Sequence, residues 1–112
     1  MIVKKYLDVE GSLEMPGVTK REVVNKSDGA PNFCMRVFEL DPGGCTPKHS
    51  HAWEHEIFFH AGSGEVFREG RWISVEAGSV AFIPGGEDHQ IRNAGDAKLT
   101  FVCLVPDGAP EM

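Results

Sequence analysis

At 112 residues the chain has room for one modest core and excludes a second domain of ordinary size. A composition of 41% apolar and 25% charged residues excludes a disordered polymer. A formal net charge of −6, with no basic stripe to offset it locally, argues against phosphate backbones and anionic lipid, so neither nucleic acid nor a membrane is an expected partner.

Met1 to Glu10 interleaves Lys4, Lys5, Asp8 and Glu10 with scattered apolar residues, which is neither the apolar core of a signal peptide nor a membrane span. A cytoplasmic location is the expectation. Cys34, Cys45 and Cys103 are odd in number and contain no Cys-x-x-Cys, so they read as reduced, mostly buried thiols.

In chain order, runs rich in Val, Ile, Phe and Thr predict strands over Ile2–Leu7, Arg21–Asn25, Phe33–Leu40, Lys48–His51, Glu54–His60, Gly64–Arg68, Arg71–Val75, Val80–Ile83, Gln90–Arg92 and Leu99–Val105. Turn-forming clusters separate them, among them Ser27-Asp28-Gly29, Asp41-Pro42-Gly43-Gly44, Ala61-Gly62-Ser63-Gly64 and Pro84-Gly85-Gly86. Dispersed Gly and Pro leave no stretch for a long helix, so at most a helical turn near an end is expected. About ten short antiparallel strands in one domain over 1–112 imply an all-β barrel or sandwich, because closure removes exposed edges. Asp107 to Met112 read as a loose tail.

Four histidines carry the chemistry. On a strand, His49 and His51 point to the same face, and His55 lies four residues further on, an even spacing that restores that facing if no bulge intervenes. His89 follows the loop from Pro84 to Asp88, where a side chain is readily delivered to a barrel mouth. Four convergent imidazoles would bind one divalent transition-metal ion, and imidazole suits Mn, Fe, Cu, Ni and Zn alike.

The order of residues then resembles a known family. Gly43, five residues, His49-x-His51, Glu56 and Gly62 resemble the first cupin motif, over 43–62. Gly78, five residues, Pro84-x-Gly86, two residues, His89, three residues and Asn93 resemble the second, over 78–93. The run from His49 to Glu56 is similar to the four-histidine manganese cupins, as are Ala30 to Phe33 and Phe101 to Pro106. This resemblance implies a double-stranded β-helix, or jelly roll, manganese as the ion, and a homodimer with the N-terminal region 1–30 at its interface. The general cupin pattern makes Glu56 the third ligand, whereas strand parity and the four-histidine subgroup make it His55; a regular strand turns only one of these neighbours inward.

Other side chains are placed by alternation. Phe101 and Cys103 share a face and would wall a substrate pocket if that face is inward, or serve as plain core. Arg36 shares a face with Cys34 and Phe38, and either anchors a ligand carboxylate inside the barrel or adds a surface charge. His60 reads as solvated, Trp53 and Phe58 as anchors of the barrel, and Asn93 as a turn-shaping residue. Gly43, Gly62, Gly78 and Gly86 read as backbone requirements at tight turns.

Four neutral ligands leave the ion's charge uncancelled, and an octahedral ion would keep two open positions for a small molecule. The expected function is a metal-dependent, dioxygenase-type oxidoreductase acting on a small oxygenated organic molecule. A non-catalytic ligand or metal sensor is the alternative, since no general base stands among the ligands. Isomerase or lyase chemistry is a second alternative. No catalytic residue is assignable from the sequence.

Overall fold

The fold, taken from a computed structural model, is described for residues 1–109. Its strands are β1 Ser12–Met15, β2 Val18–Val24, β3 Phe33–Leu40, β4 His55–Ala61, β5 Ser63–Arg68, β6 Arg71–Glu76, β7 Val80–Ile83, β8 Gln90–Arg92 and β9 Leu99–Pro106. They pair antiparallel into a six-stranded sheet, β1-β2-β3-β9-β4-β7, and a three-stranded sheet, β6-β5-β8. The two face each other as the halves of a jelly-roll barrel.

Register explains the core. The pairs Phe38↔Phe101, Leu40↔Leu99 and Phe59↔Phe101 line up side chains on the inner face of the large sheet. There the Phe38 and Phe101 rings stack at 5.1 Å, and Phe59 tilts against Phe101 at 5.5 Å. Val66 and Ile91, cross-strand partners on the small sheet, close the layer from the other side. One row nearer the barrel mouth, Arg36 pairs with Cys103 and Cys103 with Ile57; His55 and Ile83 pair in the row beyond.

The chain departs from the predicted elements at three places. Ile2–Leu7 is not a strand: a single 3-10 turn spans Tyr6–Asp8, and Ile2, Val3 and Leu7 remain exposed because nothing in the same chain packs on them. Lys48–His51 is not a strand either; only His49 makes an isolated bridge, to His89. Conversely, β1 forms where no strand is predicted: Pro16 and Gly17 (φ +79°) make the two-residue link that folds β1 back on β2. Nine strands thus stand among the described residues against the ten expected. A second 3-10 turn lies well inside the chain, at Lys26–Asp28, closed by Asn25 and Asp28 as reciprocal caps.

Asp107–Ala109, expected in a loose tail, is tied down: the Asp107 amide donates to the Asn32 carbonyl at 2.9 Å and the Ala109 amide to Pro106 at 3.2 Å. The rest of that tail, 110–112, lies outside the described residues. Among the described residues no helix is long and apolar enough to cross a membrane.

Candidate metal centre

The mouth of the barrel is built by three chain segments. The stretch 45–51 lies irregularly along β8, held by the Thr46 amide on the Ile91 carbonyl at 2.8 Å and by reciprocal amide-to-carbonyl bonds between His49 and His89, 3.1 and 3.0 Å. The Pro84–Gly86 loop is pinned to the same stretch by the Gly86 amide on the His51 carbonyl, 2.7 Å. Gly85 makes that approach possible: a Cβ there would lie 2.3 Å from the Ala52 carbonyl oxygen. The third segment is the start of β4, where burial alternates strictly from His55, 3% exposed, to Glu56, which faces solvent.

These segments bring His49, His51, His55 and His89 together. The ligand atoms of His49, His51 and His89 all lie within 4.8 Å of one another. His55 joins through Nε2, 2.8 Å from Nε2 of His51. Two nitrogens sharing one ion at adjacent octahedral positions stand about 3 Å apart for metal–nitrogen bonds of about 2.1 Å, so the spacing fits a common ion.

The other ring nitrogens are fixed from behind. Nδ1 of His49 donates to the Pro47 carbonyl (2.8 Å), Nδ1 of His51 to Trp53 (2.9 Å) and Nδ1 of His89 to Glu87 (2.9 Å). A carbonyl only accepts, so in each neutral ring the proton sits on Nδ1 and the lone pair on Nε2. The Nε2 atoms of His49 and His89 are buried without a hydrogen-bond partner among the described residues. Buried polar atoms are otherwise almost always paired, and a cation at the cluster would satisfy both.

His55 differs, since its Nδ1 lies 3.1 Å from the Cys103 sulfur. Burial above all, then the neighbouring His89, His51, Arg36 and His49, push its pKa down to about 3. Burial likewise lowers the pKa of His51 and His89. These three shifts favour the neutral, metal-ligating form of His51, His55 and His89. No carboxylate belongs to the triad of His49, His51 and His89.

The remaining site candidates divide. Phe101 and Cys103, each 2% exposed, wall a cavity of about 20 Å³ beneath the histidines, together with Phe38, Ile57 and Ile91. That is on the order of the room one water needs. Arg36 is buried, 3% exposed, with Nη2 donating to the Cys103 sulfur at 3.4 Å and its Cζ 5.3 Å from the Phe38 ring. It stands behind Cys103 rather than on the cavity wall. His60 is exposed and apart from the cluster.

Trp53 does more than anchor the barrel, because its ring stacks flat on His51 at 4.0 Å and 3°. Phe58 is no core anchor: alternation turns it to the outer face, 47% exposed. Asn93 shapes the turn before β9, its amide donating to the carbonyls of Leu40 and Ala97, 2.9 and 2.8 Å. Sequence reasoning missed Gly85 and the three carbonyl acceptors. The carbonyls leave no signal in the sequence, because every residue carries one and only the local fold aims it at a ring.

An antiparallel barrel closing on a buried histidine cluster defines a jelly-roll protein with a site able to hold a divalent metal. Residues 36–105 match the cupin domain, and the chain belongs to the cupin family. The structure of the polyketide cyclase RemF from Streptomyces resistomycificus is similar with a TM-score of 0.90 at 33% identity, covering 99% of this chain and 82% of that one. An oxalate-binding protein of Thermotoga maritima is 29% identical over 100 residues, 86% of this chain and 77% of its own length. The 1-methylthio-D-xylulose 5-phosphate methylsulfurylase of Rhodospirillum rubrum is 34% identical over 97 residues, and the match spans 86% of this chain but 60% of that enzyme.

Proposed function

We propose that His49, His51, His55 and His89 hold one divalent transition-metal ion, manganese by family resemblance, and that the protein is a dioxygenase-type oxidoreductase acting on a small oxygenated organic molecule. The observation that carries the metal reading is the pair of buried, partnerless Nε2 atoms, each on a ring whose Nδ1 is already committed to a carbonyl. The ion supplies Lewis acidity toward a ligand oxygen.

The chain's own residues do the positioning. Backbone carbonyls fix three tautomers, Trp53 backs one face of His51, and Phe38, Ile57, Ile91 and Phe101 give the cavity beneath an apolar wall. At His55 the proton has two places. In the metal-free protein, Nε2–H donates to the lone pair of His51 Nε2, and Nδ1 accepts from the Cys103 thiol. Were His55 Nε2 to hold an ion, its proton would sit on Nδ1 and donate to the Cys103 sulfur instead. With Glu56 outward, no ligand carboxylate serves as a base.

The oxidative reading is tested by loading the protein with Mn, Fe or Cu and following oxygen uptake with enolate, diketone and phenolic substrates. Uptake with one of them supports it, and none with any metal sinks it. A non-oxidative reading, of the isomerase or lyase kind, gains support from the likeness to a polyketide cyclase over nearly the whole chain; turnover under anaerobic conditions would select it. Binding of a small acid without product would select the non-catalytic reading, which the likeness to an oxalate-binding protein supports.

A further inference from the structure

The cavity beneath the histidines has a volume of about 20 Å³, against the roughly 10–15 Å³ that a single water takes. It has room for a diatomic molecule and none for an organic substrate. Phe38, Ile57, Ile91 and Phe101 line it, and all four are buried. The lining residue that reaches the surface is the half-buried His49, so the way in leads past the histidine cluster.

The polar groups on the wall are largely committed to one another. The Thr46 hydroxyl accepts the Ile91 amide at 2.9 Å and donates to the Ile91 carbonyl at 3.4 Å. The Cys103 sulfur accepts from Arg36 Nη2 at 3.4 Å and lies 3.1 Å from Nδ1 of His55, whose Nε2 is engaged with His51. That leaves Nε2 of His49 and of His89, both buried and without a partner among the described residues. Each offers only a lone pair, because the ring proton sits on Nδ1. In the metal-free protein a water in the cavity can donate to both. Once an ion takes those lone pairs, the wall has no free partner left among the described residues, whereas a buried water needs about two to four. Apolar cavities of that kind stay dry and take apolar guests.

We propose that this cavity, with an ion in the cluster, is a binding site for dioxygen. Its size selects a diatomic molecule, its lining selects an apolar gas over water, and the shared wall of His49, His55 and His89 sets that gas beside the metal centre. The inference rests on the oxidative reading of the histidine cluster, and deepens it by giving the second substrate a place apart from the organic one.

The test uses the full chain loaded with zinc, which is redox-inert and diamagnetic. Crystals pressurised with xenon, an apolar probe, should show an anomalous peak bounded by Phe38, Ile57, Ile91 and Phe101. That peak should be weaker in metal-free crystals, where water competes. In solution, methyl NMR under dioxygen, referenced to nitrogen at equal pressure, should broaden Ile57 and Ile91 severalfold more than Val18, which is as deeply buried but off the cavity. Ile91→Phe should fill the space and abolish both the xenon peak and the Ile57 broadening; should that variant not fold, the wild-type measurements decide alone. An ordered water in the zinc-loaded cavity, no xenon there, or broadening no greater than at Val18 would overturn the proposal. Zinc content and oxygen uptake of the same preparation keep it apart from the reading beneath it. Xenon in the cavity of a protein that takes up no zinc would sink the metal centre, gas binding without oxygen uptake under any metal would sink the oxidation, and either leaves the gas site standing.

Discussion

A neutral imidazole offers one lone pair, and at His49, His51 and His89 the backbone decides where it points. The decisive residue is the fourth. His55 faces the cluster and Glu56 faces away, so Glu56→Gln should leave metal content unchanged while His55→Ala lowers affinity by at least about tenfold. Equal losses in both variants, read by metal analysis after dialysis, would contradict that assignment. Cys103 supports His55 from behind, and Cys103→Ala should cost about tenfold in metal affinity, as removal of a ligand's partner typically does.

Burial of His55 also writes a pH dependence into the metal-free protein. Unfolded, this histidine takes a proton below pH 6.5; folded, only near 3. Between those values the unfolded chain binds more protons, so stability falls as pH drops, by roughly 1.4 kcal/mol per unit for this group alone. Urea midpoints in chelator should therefore decline from pH 6.5 toward 4, and less steeply in a His55→Gln variant. A flat profile, or one unaffected by the substitution, would contradict the burial argument.

At the scale of elements, Phe33–Leu40, Val80–Ile83 and Gln90–Arg92 were legible to the residue, because turn-forming clusters or proline bound a β-rich run. Ile2–Leu7 has the same local pattern and no partner strand within the chain, which alternation cannot reveal. The converse holds at Ser12–Met15, an edge strand made by its hairpin rather than by its own propensity. The four histidines were legible as a set, but the reason given for two of them fails: His49 and His51 share no regular strand. A bridge to His89 places the first, and a stack on Trp53 with a bond to its carbonyl places the second.

The loop contact that completes this arrangement hinges on one glycine. Gly85→Ala would set a Cβ 2.3 Å from the Ala52 oxygen and force the loop off the His51 segment. Gly78→Ala meets open space and only the penalty of a side chain at φ +93°, roughly 1–2 kcal/mol. Gly85→Ala should therefore cost more in stability and also weaken metal binding, while Gly78→Ala spares the metal. The reverse order in paired denaturation and metal titrations would refute this role for the loop.

At the scale of the whole molecule, the cupin barrel accounts for the core and for the placing of the histidines, and the remaining apolar surface points outward. Ile2, Val3 and Leu7 at the N-terminus and Phe33 and Phe58 on the large sheet are all exposed. We propose that a second copy covers them in a homodimer using the region 1–30. Sedimentation should give twice the chain mass, and Val3→Asp with Leu7→Asp should halve it; a monomer at all concentrations would contradict the proposal.

The central claim is a single ion held by nitrogen alone. X-ray absorption and anomalous diffraction on untagged, manganese-loaded protein test it most directly. The account predicts one ion per chain bound by Nε2 of His49, His51, His55 and His89, with Nδ1 of His55 toward Cys103. An ion bound through Glu56, or a cluster that takes up no metal at all, would contradict it.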